Sequence, residues 1–313
     1  MKTFSDAEKR GRKMKNISEI SAATRICAVI GDPVGHSLSP QIHNSAFAAS
    51  KIDMVYTAFH VRKGDLEKAL NGVRSLGIKG LSVTIPHKMD IIPFLDEVDA
   101  ATLSIGSVNT VVNSSGVLIG FSTDGPGAIR ALQAESVAIE NSSILVLGSG
   151  GAARAITFAL RSLTPQPCLK ILGIDDPETR KLVLDLNNSP GGKTNKEASA
   201  VTGVKLTDES LEKAMAEADI VIHATPIGMS PNTGKSLVPA RLFRQGQVVF
   251  DVVYTPRETR LLKEAKEAGA LTVSGLGMFV NQAAIQFELW TGEKAPVKVM
   301  LKALEQALYS PKK

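Results

Sequence analysis

The sequence predicts an α/β protein built as two domains and followed by helices. Three observations predict it. The chain has 313 residues, and domains commonly run to roughly 100–200 residues. Short apolar runs alternate with segments whose apolar residues recur at helical spacing, the pattern of parallel sheets joined by right-handed crossovers. At Ser143 the pattern starts afresh with an apolar run that ends in a glycine-rich turn, Gly148-Ser149-Gly150-Gly151.

The first half opens with ICAVI at 26–30, read as a buried strand ending at Gly31. A helix follows over about 40–50, then a strand over 54–61. Residues 65–76 place Leu66, Ala69, Leu70, Val73 and Leu76 at helical spacing. A strand over 80–85 is stopped by Pro86, which has no amide hydrogen for a ladder. Residues 90–103 read as helix. Residues 107–113 and 117–121 read as a hairpin about Ser114-Ser115-Gly116.

The second half alternates throughout. Strands are expected over 144–147, 169–174, 201–206, 219–224, 248–253 and 271–274, and helices over 152–163, 178–187, 208–217 and 258–268. From 278 onward the chain reads as helical. The division is a flexible basic tail over 1–24, a first domain over 25–123, a second over 124–275, and helices over 276–313 returning to the first domain.

Hydrophobic residues make up 43% of the chain, enough for sizeable cores. The net charge of +5 is local. Seven of the 36 basic residues but only three of the 31 acidic ones lie in the first 25 positions, and two lysines end the chain. That leaves 27 basic against 28 acidic residues in the body. No basic stripe interleaves with aromatics, which excludes a nucleic-acid reading. Two cysteines make no disulfide framework, and Cys27 sits in an apolar run, so a reducing cytoplasm fits. No stretch approaches 18 apolar residues, and no apolar segment backs the basic start, so neither a membrane span nor a secretory signal is expected. The five histidines show no metal-ligand spacing, no metal is expected, and His87 reads as a loop or pocket residue.

The turn at 148–151 follows a strand and opens a helix near Ala152. Its glycines let backbone approach a pyrophosphate, and the helix aims free N–H groups and its positive dipole end at that anion. A glycine-rich turn without ligand has the same spelling. After the second strand stand Asp175 and Asp176. An acidic residue there accepts from ribose hydroxyls and repels a 2′-phosphate, which favours NAD over NADP. The same aspartates would also cap a helix entered at Pro177.

In the first half, Ser37-Leu38-Ser39-Pro40 precedes a helix and sets two hydroxyls beside its N-terminus. That suits a carboxylate, and equally suits simple capping. Lys88 stands just beyond a strand's carboxyl end, where α/β proteins bind ligands. Asn109 begins a hairpin strand, and Asp124 follows the hairpin.

Together these segments resemble the shikimate dehydrogenases. The matching pieces are GDPVGHSLSPQIHN (31–44), SVTIPHK (82–88), GSVNTVV (106–112), STDG (122–125), GSGGAAR (148–154), ATPIGM (224–229), DVVYTP (251–256) and GLGMFVNQAA (275–284), in family order. The resemblance implies an N-terminal substrate domain and a Rossmann-type dinucleotide domain. It implies reversible reduction of 3-dehydroshikimate to shikimate with NAD or NADP, in aromatic amino-acid and chorismate biosynthesis. It assigns Lys88 and Asp124 as the catalytic pair. Ser37 and Ser39 would take the substrate carboxylate, Thr84 and Asn109 the ring hydroxyls, and Tyr254 and Gln282 would also face substrate. Gly148, Ser149, Gly150, Gly151, Ala152, Asp175, Thr225, Met229, Gly275 and Met278 would line the cofactor.

The chain departs from the family at two places. Ser122 stands where the family usually has asparagine, and the Asn-Arg-Thr of the NADP-using members is replaced by Ile174-Asp175-Asp176. An NAD-preferring quinate/shikimate dehydrogenase is therefore an alternative. A ligand sensor without catalysis is a rival of another class, against which the presence of both Lys88 and Asp124 speaks. The expected partner is a small molecule, shikimate or quinate, bound by a monomer or homodimer.

Overall fold

Two six-stranded sheets organise the protein, shown here in a computed structural model that describes residues 20–189 and 201–309. The expected basic tail lies, up to residue 19, outside the described residues. The first sheet takes β1 (Arg25–Gly31), β2 (Met54–His60), β3 (Gly80–Val83), β4 (Glu97–Val98), β5 (Thr110–Ser114) and β6 (Val117–Phe121) in the order β2-β1-β3-β5-β6-β4. α1 (Ser39–Ala49) and α2 (Leu66–Ser75) are the crossovers that make β1, β2 and β3 parallel.

Two expectations are corrected in this sheet. The hairpin of β5 and β6 is present as expected, but it joins the sheet by antiparallel pairing of β5 with β3, so the sheet is mixed rather than parallel throughout. Ser115 and Gly116 at the turn have φ of 53° and 95°, the left-handed pair whose twist matches a two-residue hairpin. Residues 90–103 are not one helix. They divide into the end of α3 (His87–Asp90), a 3₁₀ turn at Ile92–Phe94, the edge strand β4, and α4 (Ala100–Ile105). Pro93 lacks the amide an α-helix would use. The Asp99 carboxylate restarts the chain as a cap, accepting from the Thr102 amide at 3.1 Å.

The second sheet is wholly parallel, in the order β12-β11-β10-β7-β8-β9. Its strands are β7 (Ser143–Leu147), β8 (Cys168–Gly173), β9 (Thr202–Lys205), β10 (Ile220–His223), β11 (Val248–Asp251) and β12 (Leu271–Ser274). This is the doubly wound order, whose direction reverses between β7 and β10. Successive residues of β7 serve opposite faces. Ile144 and Val146 join one apolar cluster with α5 (Asp124–Ala134), α6 (Gly151–Arg161) and α7 (Asp176–Asn188). Leu145 and Leu147 join another with α8 (Asp208–Glu217) and α9 (Arg260–Glu267). Both faces are buried, which is why the strand reads as an unbroken apolar run.

The last helices, α10 (Gly275–Thr291) and α11 (Val297–Tyr309), pack back on the first sheet. Phe287, Trp290, Met300 and Leu304 share a cluster with Cys27, Val29, Phe47 and Tyr56. Gly80 admits no side chain, since a Cβ there would lie 2.2 Å from Trp290 Nε1. Burial drives the Cys27 thiol up to about 12, so it stays protonated and packs as a small apolar group. Among the described residues no helix is long and apolar enough to cross a membrane.

Candidate active site

α5 packs between α6 and α10, and its small residues let it do so. A Cβ on Gly125 would stand 2.3 Å from the Ala155 carbonyl of α6, and one on Gly127 2.9 Å from Gln282 of α10. Three helices therefore meet at backbone distance. Asp124, the first residue of α5, is carried into that junction and is 6% exposed.

There it meets Lys88. Lys88 belongs to α3, the short helix that follows β3, and its carbonyl accepts from the Val108 amide at 2.8 Å. Lys88 Nζ donates to Asp124 Oδ2 at 2.5 Å, and Asn109 Nδ2 donates to Asp124 Oδ1 at 2.8 Å. Asn109 is itself held: its Oδ1 accepts from the Thr123 amide at 2.7 Å, and its Nδ2 lies 3.4 Å from Gln282 Oε1. The ammonium side chain is 18% exposed and the carboxylate side chain 8%. The pair is thus sheltered yet open on one side, as a group that reacts with a small molecule must be.

The stem of Lys88 lies against the glycine turn. A Cβ at Gly151 would lie 3.6 Å from Lys88 Cδ, 3.7 Å from Lys88 Cβ and 3.0 Å from Ser107 Oγ. Gly148 has φ +120°, and a Cβ there would meet the Ala224 carbonyl at 2.8 Å. Gly150 caps α6 with no side-chain bond, and nothing lies within 4 Å of its missing Cβ. The space beside Gly150 at the start of α6 is therefore open, at the point where the sheet order reverses. This cradle fits a dinucleotide pyrophosphate. Thr225 closes one wall, its Cγ2 being 3.1 Å from that missing Gly148 Cβ. Ser149 Oγ donates to Glu178 Oε2 at 2.9 Å. Asp175 caps α7, accepting from the Glu178 amide at 2.9 Å, and Asp176 pairs with Arg180.

The remaining expected residues are placed as follows. α1 starts at Ser39, so the helix is capped by Leu38 without a side-chain bond, and neither serine is the expected cap. Ser37 Oγ accepts from the Ser39 amide at 3.3 Å, with Ser39 buried and Ser37 half-buried. Thr84 is half-buried at the carboxyl end of β3, against Gly31 at the carboxyl end of β1. The loops bearing Ser37 and Lys88 thus leave the same end of the first sheet. Tyr254 stacks on Phe279 with ring centroids 4.2 Å apart, and burial pushes its hydroxyl up to about 12, which leaves it a donor. Gly275 begins α10, close against the Val252 carbonyl. Met229 is exposed on its loop. Met278, by contrast, is 7% exposed within the apolar cluster of the second sheet.

One participant carries no sequence signal strong enough to single it out. Gln286 bonds Ser82, the Asn109 carbonyl and Thr110, one helical turn beyond Gln282. That i, i+4 spacing is the clue that could have found it. His87 is fully buried, with Nε2 donating to the Val61 carbonyl at 2.7 Å, so it braces the loop rather than lining the pocket. The buried Ser122 hydroxyl has no partner among the described residues.

Arg154 links the two sheets' elements. From α6 it donates Nε to the Ile105 carbonyl at the end of α4 and a terminal nitrogen to Asp185, both at 2.7 Å. Burial pushes the Asp185 carboxyl up, but hydrogen bonds from Arg154 and Lys181 outweigh it and hold it below its ordinary range. Arg154→Leu is expected to lower the thermal midpoint by the equivalent of about 2 kcal/mol, because the buried Ile105 carbonyl loses its donor and the half-buried Asp185 keeps only Lys181. An unchanged melting curve would contradict the strut.

A model described as "Shikimate dehydrogenase substrate binding domain" matches residues 29–111, and one described as "Shikimate 5'-dehydrogenase C-terminal domain" matches 275–305. The shikimate dehydrogenase (NADP(+)) of Moorella thermoacetica is 40% identical over 290 residues, covering 93% of this chain and 96% of its own. Shikimate 5-dehydrogenase of Listeria monocytogenes, solved with shikimate and NAD, is 36% identical at a TM-score of 0.81, with 93% and 99% coverage. Quinate dehydrogenase of Corynebacterium glutamicum, solved with NAD, is 30% identical at a TM-score of 0.81, with 90% and 99% coverage.

Proposed function

The chain belongs to the shikimate dehydrogenase family, and from that premise we propose that it reversibly reduces 3-dehydroshikimate to shikimate with a nicotinamide dinucleotide. The observation that carries the reading is the Lys88–Asp124 pair, 2.5 Å apart and set against the glycine turn. Residues 25–123 with the returning helices would hold the ring acid, and residues 124–275 the cofactor.

When bound, the nicotinamide supplies or accepts the hydride. The protein's own work is at the oxygen. A ketone oxygen being reduced gathers negative charge and needs a proton; Lys88 provides both a cation and a proton at Nζ. In the oxidative direction the same nitrogen receives the hydroxyl proton. Asp124 fixes Lys88 through Oδ2 and accepts from Asn109 through Oδ1; the two amide hydrogens of Asn109 go to Asp124 and Thr123, and one of them would turn to the neighbouring ring hydroxyl when the acid binds. Thr84 borders the same ring. Ser37 and Ser39 would seat the carboxylate and so fix which carbon faces the turn, a contribution of proximity. The protonated Tyr254 and Gln282 close the far wall.

For the cofactor, Asp175, Asp176 and Glu178 stand together at the end of β8 and the start of α7. A 2′-phosphate there would face carboxylates, and Arg180 is already paired with Asp176. This supports preference for NAD, although the curated relative is named for NADP(+). Steady-state kcat/KM for shikimate and quinate, each with NAD and NADP, tests both points. The expected order puts shikimate with NAD first. No turnover with either acid would overturn the assignment, and a higher value with NADP would overturn the cofactor preference alone.

A further inference from the structure

The reaction as described uses neither His223 nor Asp251, yet both are fully buried at the carboxyl ends of β10 and β11. Asp251 Oδ1 lies 2.9 Å from His223 Nδ1 and 3.0 Å from the Val253 amide nitrogen, and its Oδ2 lies 2.6 Å from Thr259 Oγ1. Beyond the ring, His223 Nε2 is 2.5 Å from Thr225 Oγ1, which is 3.3 Å from the Ile227 amide nitrogen.

One proton arrangement satisfies every group. A carboxylate only accepts, so the ring proton sits on Nδ1 and is donated to Asp251. Nε2 is then an acceptor, and the Thr225 hydroxyl donates to it. The Thr225 oxygen in turn accepts from the Ile227 amide. Thr259 donates to Asp251 and accepts from the Leu262 amide at 3.3 Å, capping α9. The chain of bonds has a direction, and it ends on the 224–229 loop. That loop is the wall facing the Gly148 turn, at the sheet edge where this fold binds ligands.

We propose that His223, oriented by Asp251, is a positioning residue that holds Thr225 and the 224–229 loop in the shape that receives the dinucleotide. The proposal rests on reading this crevice as the cofactor site. A polar pair kept only for stability would be replaceable by apolar packing without loss; this one ties the 224–229 loop, which borders the glycine turn, to the end of β11 and the start of α9.

The test uses the full chain and the variants Thr225→Val, His223→Gln and the double variant. Cofactor KM and kcat are measured, with Kd from the fluorescence of the reduced dinucleotide. Each single variant is expected to weaken cofactor binding about tenfold, in the range that a small misplacement of a wall produces. For His223→Gln, kcat is expected to stay near its original value, as for loss of uniform binding. The double variant is expected to be no weaker than the weaker single one, because the two residues act through one contact. Multiplying fold-changes in the double variant would overturn the proposal. So would normal binding by His223→Gln while Thr225→Val is impaired, an outcome that leaves the crevice reading standing. Normal binding by Thr225→Val removes the crevice reading and the proposal with it. If His223→Gln does not fold, the ring tautomer of the unaltered protein, read by ¹⁵N–¹H correlation, decides: a proton on Nδ1 supports the relay, and a proton on Nε2 overturns it.

Discussion

Lys88→Ala is expected to cut turnover by about a thousandfold or more, with the far-UV circular dichroism unchanged. General acid–base groups typically contribute about 10²–10⁴ in rate. Lys88 combines that role with fixed positive charge at the developing oxyanion, so the upper half of the range applies. The fold should survive, because Asp124 keeps its 2.8 Å bond from Asn109 and remains in the first turn of α5, where the helix dipole favours a negative charge. kcat is the quantity to follow, with shikimate and NAD both saturating. Near-normal kcat would remove lysine from the chemistry.

Asp124→Asn is expected to lower kcat by about a hundredfold and to raise KM for the ring acid. The argument is one of donors and acceptors. Asp124 accepts on both oxygens, from the Lys88 ammonium on one side and the Asn109 amide on the other. An asparagine has one acceptor oxygen and one donor nitrogen, so one side must set donor against donor. Either the lysine swings away or the Asn109 amide turns and abandons the ring hydroxyl. The combination with Lys88→Ala should be scarcely slower than Lys88→Ala alone, since residues acting as a unit are strongly non-additive. Rate losses that multiply would show that the two carry separate functions.

Much of this arrangement was readable in the residue pattern. Strand 144–147, the glycine turn and the helix after it follow from local chemistry, and the structure extends the strand only to Ser143. Helix 208–217 has the expected bounds, because Thr207 and Ser210 cap one another across its first turn. The segment 90–103 misled because its apolar spacing is helical while Pro93 and Asp99 divide it. Pairing of Glu97–Val98 with β6 is a tertiary event that no window of sequence contains. The same limit applies to the site. Lys88 and Asp124 stand out by motif, but Gln286, Arg154 and the His223–Asp251 pair matter through contacts that span from 28 to 204 positions. Such separations leave no trace in composition or periodicity.

The seating of Trp290 against Gly80, with its Nε1 donating to the Val111 carbonyl at 3.0 Å, bears on how the chain is born. During synthesis the amino-terminal sheet emerges first, yet the helices that cover one of its sides are made last. Until they arrive, Val29, Phe47 and Tyr56 lack their cover, and exposed apolar strands of this kind invite aggregation. A nascent chain halted before residue 275 should therefore recruit chaperones, whereas the finished chain should not.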